Sequence, residues 1–262
     1  MILVLAGTLD GRELAVRLAE TGYQVMVSVI SEYGRSLAEM PGISVHTGQL
    51  TVEGMSSLIS SRKIKAVVDA SHPYAVNGSV NAMAACEAME ITYIRYERSE
   101  VSVPEYKRLY ITSDAAEAAK VAAGLGKVVF LTTGSRTLKA FKNEPLLTEC
   151  RLIARVLPQP EVVTECIDLG FSPGDIVAMK GPFSHELNVA LFREYGTEAV
   201  VTKNSGTVGG ADTKISAAME LGLPIIMIGR PAIEYRNLCK NQEEVLDIIL
   251  TVRSGEVKQW NT

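Results

Sequence analysis

Lys203-Asn204-Ser205-Gly206-Thr207-Val208-Gly209-Gly210 is the stretch whose residue types most plainly suit chemistry. Lys203 supplies a cation and Lys214 follows it on a helix-like segment. The glycines let backbone come close to a ligand, and the start of the helix offers unpaired N–H groups. An anion suits such a loop. A surface turn that needs glycine for its own geometry explains the same residues equally well. Ser71-His72-Pro73 is a second group. His72 there is a candidate proton donor, or else an ordering hydrogen bond within its loop. Gly7-Thr8 with Gly11-Arg12, Ser31, Thr132-Thr133-Gly134-Ser135-Arg136 and Lys180–Ser184 are further polar or glycine-rich punctuation. Arg12, Arg95, Arg136, Arg155 and Arg230 could each grip a carboxylate bidentately, although one arginine taken alone reads equally as a surface ion pair.

Several chemistries are disfavoured by spacing. Gly7 and Gly11 lack the middle glycine of GxGxxG, and Gly206-Thr207-Val208-Gly209-Gly210 is not followed by the GK[ST] of a P-loop. The three histidines are scattered, and His46 and His185 read as structural and surface residues. With no HxxxH and no clustered carboxylates, no catalytic metal is expected. No serine has a GxSxG setting. The four cysteines form no CxxC, so neither zinc nor a disulfide framework is expected, and Cys86 and Cys166 read as core residues.

The elements that must hold these groups follow from where the groups fall. Each closes a short apolar run of the kind a buried parallel strand makes. Ile2–Leu5, Gln24–Ile30, Ile43–His46, Lys65–Val68 and Ile91–Arg95 read as strands with helices between them, and Ser31–Arg35 as a loop. After a charged linker near residues 97–106 the pattern resumes. Tyr106–Thr112 reads as an edge strand, followed by strands at Lys127–Leu131, Arg151–Val156, Asp175–Met179, Ala199–Val201 and Pro224–Ile228. A helix over Glu243–Val252 and a loose tail close the chain. Asn81–Arg95 echoes Ser216–Arg230. The expected fold is α/β, with two Rossmann-like, mainly parallel, doubly wound domains over residues 1–98 and 99–262, the second carrying the terminal helix. Ligands bind outside the carboxyl ends of strands in open α/β sheets, so the two domains are expected to face a shared polar cleft.

The chain has 262 residues, 47% of them hydrophobic, enough for such domains. Its net charge of −4 gives no global attraction for nucleic acid. The apolar start at Met1–Ala6 is too short to span a bilayer, and no signal peptide is read, so the expected setting is cytoplasmic, away from membranes.

Taken together, six stretches resemble the precorrin-6A reductase family of corrin biosynthesis, cobalt-precorrin-6A members included. They are AGTLDGRELAVRL at Ala6–Leu18, DASHPYAVNGSVNAMAAC at Asp69–Cys86, TTGSRTLKAF at Thr132–Phe141, ARVLP at Ala154–Pro158, KGPFSHELNVAL at Lys180–Leu191 and VTKNSGTVGGADTKISAA at Val201–Ala218. Ser71 and Tyr74 stand where the family usually has Thr and Phe, and Arg95-Tyr96 where it has Arg-Pro. The resemblance implies reduction of one carbon–carbon double bond of a tetrapyrrole by NADPH or NADH. It implies cofactor contacts at Gly7, Thr8, Ser31, Thr133, Gly134 and Ser135. Substrate contacts fall at Arg12, Ser71, His72, Lys203, Ser205 and Gly206, and the two sets can exchange in part, since either mouth of the cleft can hold the dinucleotide. Other corrin-pathway enzymes are the partners it suggests, and oligomeric state stays open. A two-domain anion- or nucleotide-binding module and a sugar-nucleotide transferase are the rival readings.

Overall fold

A computed structural model describes residues 1–98, 105–206 and 210–254. Residues 99–104 of the expected linker, 207–209 of the glycine loop and the tail beyond 254 lie outside the described residues. The chain divides into unit 1, Met1–Ser99 with Ala232–Thr262, and unit 2, Glu100–Pro231.

Unit 1 runs β1 (Ile2–Leu5), α1 (Leu9–Glu20), β2 (Val25–Val29), α2 (Glu32–Ala38), β3 (Ile43–Thr47), α3 (Val52–Arg62), β4 (Ala66–Asp69), α4 (Val76–Ala88) and β5 (Thr92–Tyr96). Unit 2 follows with β6 (Leu109–Thr112), α5 (Ala115–Ala123), β7 (Val128–Leu131), α6 (Leu138–Lys142), β8 (Arg151–Val156), α7 (Pro160–Asp168), β9 (Ile176–Ala178), α8 (His185–Glu194), β10 (Ala199–Lys203), α9 (Ala211–Glu220) and β11 (Ile225–Ile228). The chain then re-enters unit 1 as β12 (Leu238–Cys239) and α10 (Gln242–Ser254).

Each unit holds a six-stranded sheet, ordered β12-β5-β4-β1-β2-β3 in unit 1 and β6-β11-β10-β7-β8-β9 in unit 2. Every described pairing is parallel. The two orders share the 3-2-1-4-5 arrangement of dinucleotide-binding sheets, in which strand order reverses at one point; the sixth place is taken by β12 in unit 1 and by β6, the first strand of its unit, in unit 2. That point lies between β1 and β4 in unit 1 and between β7 and β10 in unit 2.

Central strands β1, β2 and β4 are buried along their whole length, and β10 up to Lys203, because helices cover both faces. In unit 1, Val4, Val27 and Val68 pack with Leu14 and Leu18 of α1 and with Val245 and Ile249 of α10. On the opposite face Leu3, Met26 and Val67 pack with Met55 and Ile59 of α3 and with Ala82 and Cys86 of α4. In unit 2, Phe130, Ile153 and Val200 pack with Phe192 of α8 and Ile215 of α9.

Two expectations are corrected. Ser31–Arg35 is not a loop: Ser31 caps α2, its Oγ accepting from Gly34 N–H at 3.1 Å. A serine followed by Glu-Tyr-Gly reads as a turn, yet it also opens a short helix. The terminal helix belongs with unit 1 rather than with the second domain. Its apolar stripe completes the α1 face of the sheet, and Cys239 of β12 pairs with Tyr96 of β5. The internal echo covers equivalent elements, α4–β5 and α9–β11, but not their arginines. Arg95 lies within β5, whereas Arg230 lies past the end of β11.

Candidate functional site

The cofactor and substrate candidates other than Ser31 gather at the two points where strand order reverses, whereas Lys180–Ser184 follows β9 and Arg230 follows β11. In unit 1, the turn after β1 meets the turn after β4. Thr8 caps α1, its Oγ1 accepting from Gly11 N–H at 3.2 Å and donating to Ala70 O at 3.1 Å, so its hydroxyl ties the two turns. Gly7 is exposed, with open space where a Cβ would stand. Gly11 is different in kind: a Cβ there would lie 3.0 Å from Ala6 Cα, Ala70 Cβ and Ala70 O, so this glycine seats α1 against the strand ends. Arg12 is half-buried on the first turn of α1, with no side-chain partner among the described residues.

His72 follows β4 within a tight turn. Its Nδ1 accepts from Tyr74 N–H at 3.3 Å. The ordering bond weighed from sequence is therefore present. Ser71 N–H donates to Asp69 Oδ1 at 3.0 Å. Asp10, overlooked by sequence reasoning, is buried at 8% exposure. Its Oδ2 pairs with Arg98, while its Oδ1 has no hydrogen-bond partner among the described residues. Asp10 and Ser71 line one small pocket with Thr8, Ala70, Pro73 and Tyr96. Ser31 stands apart at the end of β2, and Arg35 on α2 pairs with Glu39 at 2.9 Å. Arg95 is fully buried against Asp69 and Glu97, so the carboxylate-gripping role open to it from sequence is excluded.

In unit 2, the turn after β7 meets the turn after β10. Lys203 Nζ donates to Thr133 O at 3.0 Å and ties them, the counterpart of Thr8 to Ala70. Thr133 Oγ1 accepts from Thr137 Oγ1 at 2.8 Å. Gly134 has φ 77° and ψ 179°, a conformation essentially restricted to glycine, and Ser135 begins a single 3₁₀ turn. Ser205 and Asn204 are buried, and Gly206 has φ 78°. Behind them lies a cation-rich interior. Arg155 is 6% exposed; its Nη1 donates to the neutral Asn188 Oδ1 at 2.7 Å, and its guanidinium lies 4.3 Å from the Phe183 ring centre. Lys214, on the second turn of α9, is 8% exposed, and its ammonium has no hydrogen bond or ion pair among the described residues. Burial, and next the charge of Arg155, pull the Lys214 ammonium down to about 8. Burial and then Arg136 bring Lys203 to about 8 as well. Burial alone lowers Arg155.

Cations gathered in a buried setting are costly unless anions offset them, and Asp212 is the carboxylate that acts on Lys214. The unit 2 rim is therefore chemically suited to phosphate or carboxylate groups, and the open cradle at Gly7 and the extended Gly134 suit close backbone approach of a dinucleotide. His185 is bound elsewhere, to Ser216 Oγ at 2.8 Å and Glu220 Oε2 at 2.7 Å on the surface of α9. No group of His, Cys, Asp or Glu among the described residues could hold a metal ion. No described helix is long and apolar enough to cross a membrane.

A family model described as "Precorrin-6x reductase CbiJ/CobK" matches residues 1–250. A cobalt-precorrin-6A reductase of Priestia megaterium is 43% identical over 251 residues, covering 95% of this chain and 98% of that protein. A precorrin-6A reductase of Rhodobacter capsulatus is 31% identical over 245 residues, covering 94% of each. The solved structure titled "CobK precorrin-6A reductase" superposes with a TM-score of 0.77 at 29% identity, covering 96% of each chain.

Proposed function

Because this chain belongs to the precorrin-6x reductase family CbiJ/CobK, we propose that it reduces one carbon–carbon double bond of (cobalt-)precorrin-6A to (cobalt-)precorrin-6B with NAD(P)H, in cobalamin biosynthesis. The observation that carries this reading is the pair of strand-order reversals, each rimmed by the residues the resemblance selects. The unit 2 rim, with Lys203, Lys214 and Arg155, suits the many acetate and propionate groups of a corrin precursor.

When bound, the nicotinamide supplies the hydride. The chain's own work is to bind and orient. Gly7, Thr8, Ser31, Thr133, Gly134 and Ser135 are assigned to the cofactor. Arg12, Ser71, His72, Lys203, Ser205 and Gly206 are assigned to the substrate, and Arg155 and Lys214 join them. His72, whose Nδ1 accepts from Tyr74 N–H, is ordered within its turn at the rim. Four free cysteines fit a reducing compartment, and we place the reaction in the cytoplasm. The cobalt-containing ring is the proposed substrate, following the name of the 43% identical relative. An anion-binding module and a sugar-nucleotide transferase have no support from the family.

The test is a reductase assay with purified protein, following loss of nicotinamide absorbance with NADPH and with NADH, against precorrin-6A and its cobalt form. Oxidation of either dinucleotide that depends on a tetrapyrrole supports the reading. Binding of dinucleotide without turnover of either ring form refutes it.

A further inference from the structure

Beneath the unit 1 rim lies a buried ion pair that the proposed function leaves unused. Asp69 closes β4 and Arg95 stands beside it in β5; both side chains are 0% exposed. Arg95 Nη1 lies 3.0 Å from Asp69 Oδ1 as an ion pair and donates to Asp69 O at 3.4 Å; Asp69 Oδ1 accepts from Ser71 N–H at 3.0 Å, and Oδ2 accepts from Tyr93 OH at 2.8 Å. The other edge of the guanidinium donates from Nε and Nη2 to Glu97 Oε2 at 3.1 and 3.0 Å. The Tyr235 ring, 4.8 Å away, lies under its face. Burial opposes the charge on Arg95, but Asp69 and its neighbours hold the guanidinium more firmly protonated than in water.

One contact of this network reaches the rim. Arg95 Nη1 donates to Ser71 Oγ at 3.2 Å. A guanidinium has donors only, so Ser71 Oγ accepts there and must turn its single O–H elsewhere. No described residue accepts that proton. Ser71 is half-buried and lines the small pocket shared with Thr8 and Asp10. Thr8 differs, because its hydroxyl already both donates and accepts within the fold.

We propose that Arg95, held by Asp69, is a positioning residue that fixes Ser71 as a one-way hydrogen-bond donor to a carboxylate of the tetrapyrrole. The inference rests on the reductase reading and deepens it. A serine hydroxyl in water rotates and must be ordered when a ligand binds; here a permanent cation has set it beforehand, and donation to a carboxylate is the stronger, charge-assisted kind. A bond to a side-arm carboxylate is not made to the reacting carbons, so it is expected to serve binding rather than the chemical step.

The experiment is steady-state kinetics of the full chain with Ser71→Ala, Ser71→Thr, Arg95→Lys and the Ser71→Ala/Arg95→Lys double variant, with thermal unfolding of each. Ser71→Ala is expected to raise KM for the tetrapyrrole about tenfold, as loss of one hydrogen bond to a charged group implies. Its kcat and its KM for the dinucleotide should stay put. Ser71→Thr keeps the hydroxyl and should lose far less. Arg95→Lys should raise the same KM, and the double variant should be no worse than the poorer single one, because both remove one contact. If Arg95→Lys does not fold, the contrast between Ser71→Ala and Ser71→Thr decides. An active unsubstituted enzyme with an unchanged KM in Ser71→Ala overturns this inference alone. An unsubstituted enzyme that turns over neither ring form overturns the reductase reading, and this inference with it.

Discussion

Lys203 and Lys214 pull binding and stability in opposite directions as pH changes. Each ammonium sits at about 8 in the fold, against 10.5 when exposed. Below pH 8 both are charged and available to an anion, so affinity for the acidic macrocycle should fall as pH rises through 8. Between 8 and 10.5 the unfolded chain binds more protons than the native one, so the ligand-free protein should gain stability over that window. Lys214→Met should flatten both trends, which titrations of Kd and of unfolding midpoint between pH 7 and 10 would show. A parallel loss of affinity and stability in that window would contradict the assignment. Lys203 and Thr133 were legible because strand-end loops in α/β proteins carry ligands. Lys214 and Arg155 were legible singly as cations, but nothing local tells that both are buried behind the same rim. Nor does Asp69–Arg95 appear as a pair until β4 and β5 lie side by side.

The helix α1 is readable from sequence, but spacing does not separate the tasks of Gly7 and Gly11. Only Gly7 faces open space; Gly11 is the point where α1 touches the backbone of Ala6 and Ala70. Gly11→Ala should therefore cost about 1–3 kcal/mol of stability, since the contacted atoms are largely main chain and give little. Chemical denaturation would measure it, and a loss below about 0.5 kcal/mol would show that the helix can ride outward. Buried parallel strands were readable because each is a short uninterrupted apolar run. β12 was not, being two residues whose strand character comes wholly from pairing with β5. α2 was hidden by Ser31 and Gly34, residues that open helices and turns alike.

At the scale of the whole chain, unit 2 is one continuous segment, while unit 1 is assembled from two. Two similar domains were legible from the repeated strand–helix alternation. The return of the last segment was not, because an amphipathic stripe shows that a helix has an apolar face without naming the sheet it covers. A fragment of residues 105–231 holds a complete sheet, whereas residues 1–98 lack Cys239, Val245 and Ile249 from their core. The first fragment should unfold cooperatively by circular dichroism, and the second should not until residues 232–254 are supplied. Cooperative unfolding of 1–98 alone would refute the dependence. The order of manufacture follows from the same layout. On the ribosome residues 1–98 emerge before residues 232–254 and must wait for them with a bare flank, while the intervening segment can finish folding in the meantime.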